Sequence, residues 1–296
     1  QSDGSTSASR TGASGDALII AQIAEKVKPS VVEVTTSSVQ TNGIFAQYVT
    51  EGAGSGVIIS EDGYILTNNH VIEGQSSIKV TTSDGQEYDA TVVGTDDKTD
   101  IAVLKIEASG LTPAVIGDSD SLVVGETAVA VGNPLGELGG TVTDGIISAL
   151  DREVTVEGKN MTLLQTSAAV SPGNSGGGLF NEKGELVGIV NAKSGGDNVE
   201  GIGFAVPINT AMEVAEQLIA NGYVSGRPAM GIQVIAIADL QTAMQAGVSQ
   251  LGVYVQSVDP GSAAEQAGLQ VGDLFVSVDG TAVSTTSDVT AVLDEH

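Results

Sequence analysis

At 296 residues the chain is long enough for about two domains. It carries 37 acidic against 11 basic side chains, a net charge of −26. That charge excludes a nucleic-acid binder, which needs clustered Lys and Arg, and disfavours adhesion to anionic lipid. There is no cysteine, so neither a disulfide framework nor a thiol nucleophile is available.

Hydrophobic residues make up 41% of the sequence, and tryptophan is absent. A packed interior must be filled by Val, Ile, Leu and Ala, which suits β-structure. No apolar run reaches the length of a membrane span. No apolar signal core stands near Gln1 either, so contact with a membrane is expected only through an anchor outside this sequence.

Residues Gln1–Gly15 are mainly Ser, Thr, Gly and Ala, the composition of a disordered tether. Asp16 caps a short helix through Val27, with Leu18, Ile19, Ala21, Ile23 and Val27 apolar, and Pro29 ends it. Strand-like runs follow at Val31–Thr36, Ser55–Ser60, Tyr64–Thr67, Ile78–Thr81, Glu87–Val93 and Ile101–Ile106. Glu61-Asp62-Gly63 and Ser83-Asp84-Gly85 are hairpin turns between them. Ser37–Thr50 is polar and reads as a loop. Further runs stand at Thr127–Gly132, Thr143–Ser148, Met161–Gln165, Gly177–Phe180, Leu186–Asn191 and Ile202–Val206. Thr210 and Glu213 form a capping box for a helix with Ala211, Val214, Ala215, Leu218 and Ile219 on one face, and Asn221-Gly222 stops it. Ser225-Gly226-Arg227-Pro228 is a linker. After Arg227 no basic residue remains.

The chemistry converges on Ser171-Pro172-Gly173-Asn174-Ser175-Gly176-Gly177-Gly178. Glycine serves where backbone takes φ > 0 or approaches a ligand closely. Such a loop can aim N–H groups at one point and leave the Ser175 hydroxyl exposed, as acyl transfer requires. Read alone, it is equally a glycine turn between strands. Of the two histidines, His296 is the last residue, which leaves His70 as the base, at the end of the run Tyr64–Val71. Asp100, at the edge of the run Ile101–Leu104, would fix the imidazole's tautomer. The order His70, Asp100, Ser175 is that of the chymotrypsin-type double barrel. An α/β-hydrolase would order its triad Ser, Asp, His, and a metalloprotease needs several closely spaced ligands.

Thr67-Asn68-Asn69-His70-Val71, Asp100-Ile101-Ala102-Val103-Leu104-Lys105 and Gly173-Asn174-Ser175-Gly176-Gly177 resemble the catalytic motifs of the HtrA serine proteases. Val131–Gly136, Thr141–Ser148 and Gly201–Pro207 are similar to further motifs of that family, and the likeness runs from about Val31 to the C-terminus. The resemblance implies a mostly β fold: a trypsin-like double six-stranded barrel followed by a PDZ domain. The barrels would run over about 30–116 and 118–206, with the tether at 1–15, the protease domain at 16–225 and the PDZ domain at 226–296. It implies an ATP-independent serine endopeptidase acting on unfolded or misfolded proteins outside the cytoplasm, without cofactor or metal, in a homotrimer held partly by the N-terminal segment. The backbone N–H groups of Gly173 and Ser175 would form the oxyanion hole, as residues n−2 and n do in the template.

By resemblance, Val170 and Ala192 line the substrate pocket, which predicts cleavage after small or medium aliphatic residues; barrel core is the other reading of both. The loops Gly132–Gly136 and Ser194–Asp197 would switch between ordered and disordered states to control activity. Two departures from the family pattern stand near the site. Ser167 replaces a common Asp, which leaves loop hydrogen bonding open, and Gly178 replaces a common Pro or Ala, which would loosen the strand after the nucleophile.

From Ala229 the segments Met230–Val234, Gly252–Val255, Val258–Ala264, Ala267-Gly268-Leu269, Gly272–Phe275 and Val278-Asp279-Gly280 resemble a PDZ domain. Ala229-Met230-Gly231-Ile232 matches its carboxylate-binding loop, which captures C-terminal peptides added to a sheet edge. The domain's usual closing strand is missing before His296, so a truncated chain with an incomplete PDZ fold is expected. The competing function is a PDZ-bearing peptide-binding or chaperone-like scaffold on a resting or inactive protease domain.

Overall fold

The computed structural model describes residues 18–41, 47–133, 140–156, 159–171, 173–192, 201–226, 230–238, 240–258 and 262–293. The chain divides into two units, Gln1–Val224 and Ser225–His296. The tether, Asp16, Ala229, His296 and the stretches 134–139 and 193–200 lie outside the described residues, and with them most of both switching loops.

The first unit begins with α1 (Ile20–Val27), followed by a 3₁₀ turn at Lys28–Ser30 that carries Pro29. The helix starts at Ile20 rather than after Asp16. Leu18 donates its N–H to the Glu182 carbonyl, which holds the chain extended there, and Gln22 Oε1 accepts the Ile19 N–H to close the first turn.

The strands β1 (Val31–Thr41), β2 (Gln47–Ile58), β3 (Tyr64–Asn68), β4 (Ser77–Thr81), β5 (Glu87–Asp96) and β6 (Ile101–Ile106) close a barrel in the order β1-β2-β3-β6-β5-β4. A one-turn helix, α2 (Asn69–Ile72), follows β3. The strands β7 (Thr127–Gly132), β8 (Thr141–Val156), β9 (Lys159–Thr166), β10 (Gly178–Phe180), β11 (Leu186–Asn191) and β12 (Gly203–Pro207) close a second barrel in the order β10-β11-β12-β9-β8-β7. All neighbouring strands of both barrels pair antiparallel.

Alternation along these strands divides the core. Ile58, Ile65, Ala102 and Leu104 fill the first barrel, and Ala128, Ala130, Leu164 and Ala205 fill the second. The residues between them, Val57, Leu66, Ile101, Val103, Val129 and Val131, point the other way into a cluster shared by both barrels, α1 and α3 (Ile208–Asn221). Both faces of these strands are buried. That is why they read as continuous apolar runs.

Three stretches differ from expectation. Ser37–Thr41 and Gln47–Thr50, expected in a loop, are paired strand: β1 and β2 pair from Val31↔Val57 out to Thr41↔Gln47. β8 is much longer than its apolar part and continues to Val156. α3 begins at Ile208, two residues before the expected Thr210 cap. Pro207 is extended and has no N–H, and Ser119 Oγ accepts the Asn209 N–H at 3.2 Å from a distant turn. Its stop at Asn221-Gly222 is an αL cap, with Gly222 at φ 81°.

The second unit holds a sheet of β13 (Ile232–Ile237), β14 (Gly252–Val258) and β15 (Leu274–Phe275) in that order, and a ribbon of β16 (Ser277–Val278) and β17 (Thr281–Ala282). Three helices accompany them: α4 (Leu240–Ala246), which falls in a stretch with no sequence expectation, α5 (Ala263–Ala267) and α6 (Thr286–Leu293). Val253, Val283, Val289 and Val292 form its buried centre. Among the described residues of the chain, no helix is long and apolar enough to cross a membrane.

Candidate active site

Three chain segments far apart in sequence meet between the barrels. β3 ends at Asn68, and α2 turns His70 out of the strand direction. Asp100 sits at the turn before β6 with φ 55°, a left-handed conformation uncommon for a residue with a side chain. Such strain persists where surrounding contacts over-determine it. Here the Asp100 carbonyl accepts the Asn69 N–H at 3.1 Å and Asn68 Nδ2 at 3.0 Å. Ser175 stands in the turn between β9 and β10.

His70 Nδ1 lies 2.6 Å from Asp100 Oδ2, and Nε2 lies 3.0 Å from Ser175 Oγ. The His70 backbone N–H donates to Asp100 Oδ1 at 2.9 Å, so the carboxylate holds both the ring and the main chain of His70. Asn191, at the end of β11, donates Nδ2 to Asp100 Oδ2 at 2.9 Å. The imidazole is thus oriented by an acceptor that is itself oriented. An arrangement with Nδ1–H on Asp100 leaves Nε2 free to take a proton from Ser175.

The nucleophile loop is built from close backbone approaches. Asn174 donates its N–H to the Ser171 carbonyl at 2.9 Å and closes a turn with Gly173 at φ 100°, a conformation suited to glycine at that place. Gly176 has φ 81°, and a Cβ there would lie 2.1 Å from the Ser55 carbonyl oxygen. Among the described residues, neither the Gly173 nor the Ser175 N–H has an acceptor. Ser175 Oγ accepts the Ala192 N–H at 3.1 Å.

Val170 packs at the edge of the second barrel's interior, where a Cβ on Gly203 would come 2.6 Å from its Cγ2. Ala192 reaches the nucleophile through its backbone. Ser167 Oγ accepts the Ile146 N–H at 3.0 Å, so this residue ties its turn to β8. Gly178 opens β10. Its place beside the backbone is filled by the Phe180 ring, whose Cε2 a Cβ would meet at 2.4 Å. In the second unit, the Met230 carbonyl accepts the Ala264 N–H at 3.0 Å, Gly231 has φ 72° against Ser262, and Ile232 pairs with Val258. Among the described residues no cluster of His, Asp or Glu has the arrangement of a metal site.

Asn191 and Ser55 escaped the sequence reading as functional residues. The available signal was a polar residue closing an apolar strand, and a serine between two glycines in another.

The trypsin-like peptidase domain family matches residues 54–189, and the PDZ domain family matches residues 254–296. The chain is 40% identical to a Do-like serine protease HtrA of Bacillus subtilis (strain 168), over 95% of this chain and 68% of that protein. It belongs to the HtrA family of serine proteases. It is also 42% identical to DegQ, a periplasmic pH-dependent serine endoprotease of Escherichia coli (strain K12), over 91% of this chain and 63% of that protein. A solved structure titled as an HtrA-type protease AlgW with decapeptide matches with a TM-score of 0.62 and 35% identity, covering 93% of this chain and 90% of that one. The chain spans about half to two thirds of the length of the curated relatives it matches. These likenesses extend through both units, and the fold is that of a trypsin-like barrel domain with a PDZ domain.

Proposed function

We propose that this HtrA family member is a serine endopeptidase in which Ser175 attacks the scissile carbonyl, His70 takes its proton and returns it to the leaving amine, and Asp100 orients His70. The observation that carries the reading is the continuous path of 2.6 Å and 3.0 Å contacts from Asp100 through His70 to Ser175. The N–H groups of Gly173 and Ser175 stabilise the oxyanion of the tetrahedral intermediate. Val170 and Ala192 bound the pocket for the residue before the cut. Substrates are unfolded or misfolded polypeptides, C-terminal peptides bind the second unit beside Ala229–Ile232, and the active assembly is a trimer. The work is done outside the cytoplasm, a reading that rests on the periplasmic relative.

One contact favours a resting form of the same enzyme. The Ala192 N–H occupies Ser175 Oγ, which draws electron density from the nucleophile. A peptide at the second unit would then serve as the activating signal.

The test is hydrolysis of reduced casein by the chain and by Ser175→Ala, with and without a C-terminal decapeptide. Cleavage that is lost in the variant supports the assignment, and stimulation by the decapeptide supports the resting form. Cleavage that persists in Ser175→Ala removes Ser175 as nucleophile.

A further inference from the structure

The serine of β2 bridges both barrels and the nucleophile loop. Ser55 is fully buried, at 0% exposure, in a strand otherwise closed by apolar contacts. A buried hydroxyl without partners is costly, so its contacts define its role. Ser55 Oγ donates to the Gly173 carbonyl at 2.7 Å and accepts the Asn133 N–H, at the end of β7, at 2.8 Å. The Ser55 backbone N–H donates to the Ser175 carbonyl at 2.8 Å, and its carbonyl accepts Thr67 Oγ1 at 2.7 Å. Every polar group of this residue is used, and two of the four contacts fall on the residues flanking Asn174.

From this geometry we infer that Ser55 is a positioning residue that sets the oxyanion donors through the Gly173–Asn174 peptide. The inference rests on the proposed roles of Gly173 and Ser175. As a glycine, Gly173 has wide φ/ψ freedom. Its following peptide is held at both ends: the Asn174 N–H goes to the Ser171 carbonyl, and the Gly173 carbonyl goes to Ser55 Oγ. A peptide plane fixed at both ends fixes ψ of Gly173 and φ of Asn174. That plane joins the two donor-bearing peptides, so holding it removes one rotation by which either N–H group could turn away. The Asn174 side chain does not do this. It is 1% exposed, and neither Nδ2 nor Oδ1 has a partner among the described residues. The hold on the Gly173 carbonyl comes from the other barrel, through one hydroxyl. Preorganised donors act without reorganisation at the moment of reaction, which is why a lost constraint lowers turnover rather than binding.

The experiment uses the full chain with Ser55→Ala, Ser55→Cys and a control, Ser30→Ala. Ser30 is also buried and also donates to a backbone carbonyl, that of Val27 at 2.7 Å, but far from the nucleophile. A fluorogenic peptide ending its non-prime side in valine is the substrate, and the matching peptide boronic acid reports on the oxyanion site. Ser55→Ala is expected to lower kcat by about tenfold to a hundredfold, below the loss for deleting a donor outright. KM should stay within about threefold and boronic acid affinity should fall with kcat. Ser55→Cys, a similar shape with a weaker donor, should fall between. If the Ala variant does not fold, the Ser and Cys chains alone decide by the same kcat and KM criteria. Wild-type kcat in both Ser55 variants, or a loss no greater than in Ser30→Ala, overturns the inference while leaving the proposed function intact. A wild-type chain with no Ser175-dependent cleavage, with the decapeptide as well as without it, overturns both.

Discussion

Asn191 Nδ2 and Asp100 Oδ2 lie 2.9 Å apart, on the same carboxylate oxygen that faces His70 Nδ1. Asp100 is therefore held from the second barrel as well as from its own. Asn191→Ala is expected to leave KM unchanged and to lower kcat about tenfold. A hydrogen bond to a charged group contributes about 1.5–3 kcal/mol, and only part of that bears on the transition state. Steady-state kinetics on a peptide substrate checks this, and a change confined to KM would count against an orienting role.

Asp100→Asn should lower kcat by about four powers of ten with the fold retained. The amide can donate where the carboxylate only accepts, so it favours the tautomer with the proton on Nε2, facing Ser175. Titration of the active site with a fluorophosphonate, read by mass, measures the loss without needing turnover. Ser175→Ala is the matched blank, and removing any triad member commonly costs a similar or larger factor.

Gly178→Ala forces a Cβ into the Phe180 ring, which lies 2.4 Å from the position that atom would take. Overpacking of this kind costs about 1–3 kcal/mol. The double variant Gly178→Ala/Phe180→Leu, with the ring gone, should recover part of that loss. Urea denaturation of Gly178→Ala, Phe180→Leu and the double variant decides it: a double variant as destabilised as the two singles summed would show that the Phe180 ring is not the obstacle.

Helix α6 of the second unit is secured by Asp288. Its Oδ2 accepts the N–H groups of Ser284 and Thr285 at 2.8 Å each, and Thr285 Oγ1 accepts the Asp288 N–H at 3.1 Å, a reciprocal cap. The Ser284 and Thr285 N–H groups lower the carboxyl's pKa to about 2. A folded-state value below the unfolded one means stabilisation that is complete above about pH 4. It is lost as the pH falls through about 2. Protection factors of the α6 amides, exchange rates corrected for the intrinsic effect of pH, should fall across that window in the wild-type chain. In Asp288→Ala the protection factors should already be low at neutral pH and change little with acid.

What the sequence by itself determined was the identity and order of the chemistry. A single usable histidine, no cysteine and a glycine-flanked serine leave little choice for His70 and Ser175, and apolar runs at strand length marked the strands of both barrels. Those runs were legible because inter-barrel packing buries both faces of many strands, so the apolar signal is continuous. The run of β1 and β2 into Ser37–Thr41 and Gln47–Thr50 was not legible, because the sequence there shows no regular apolar alternation. Nor were the helix starts at Ile20 and Ile208, whose first N–H groups are handled by Gln22 and by Ser119 from another part of the chain. Tertiary structure alone decided which polar residues serve the triad and its loop. Asn191 reaches Asp100 across 91 positions, and Ser55 reaches Gly173 across 118. Such pairs are fixed by strand register and barrel closure, which bring distant residues to one point without leaving a local period or composition behind. The same closure fills the place beside Gly178 with Phe180, so a residue whose composition suggests looseness stands in one of the tightest parts of the core.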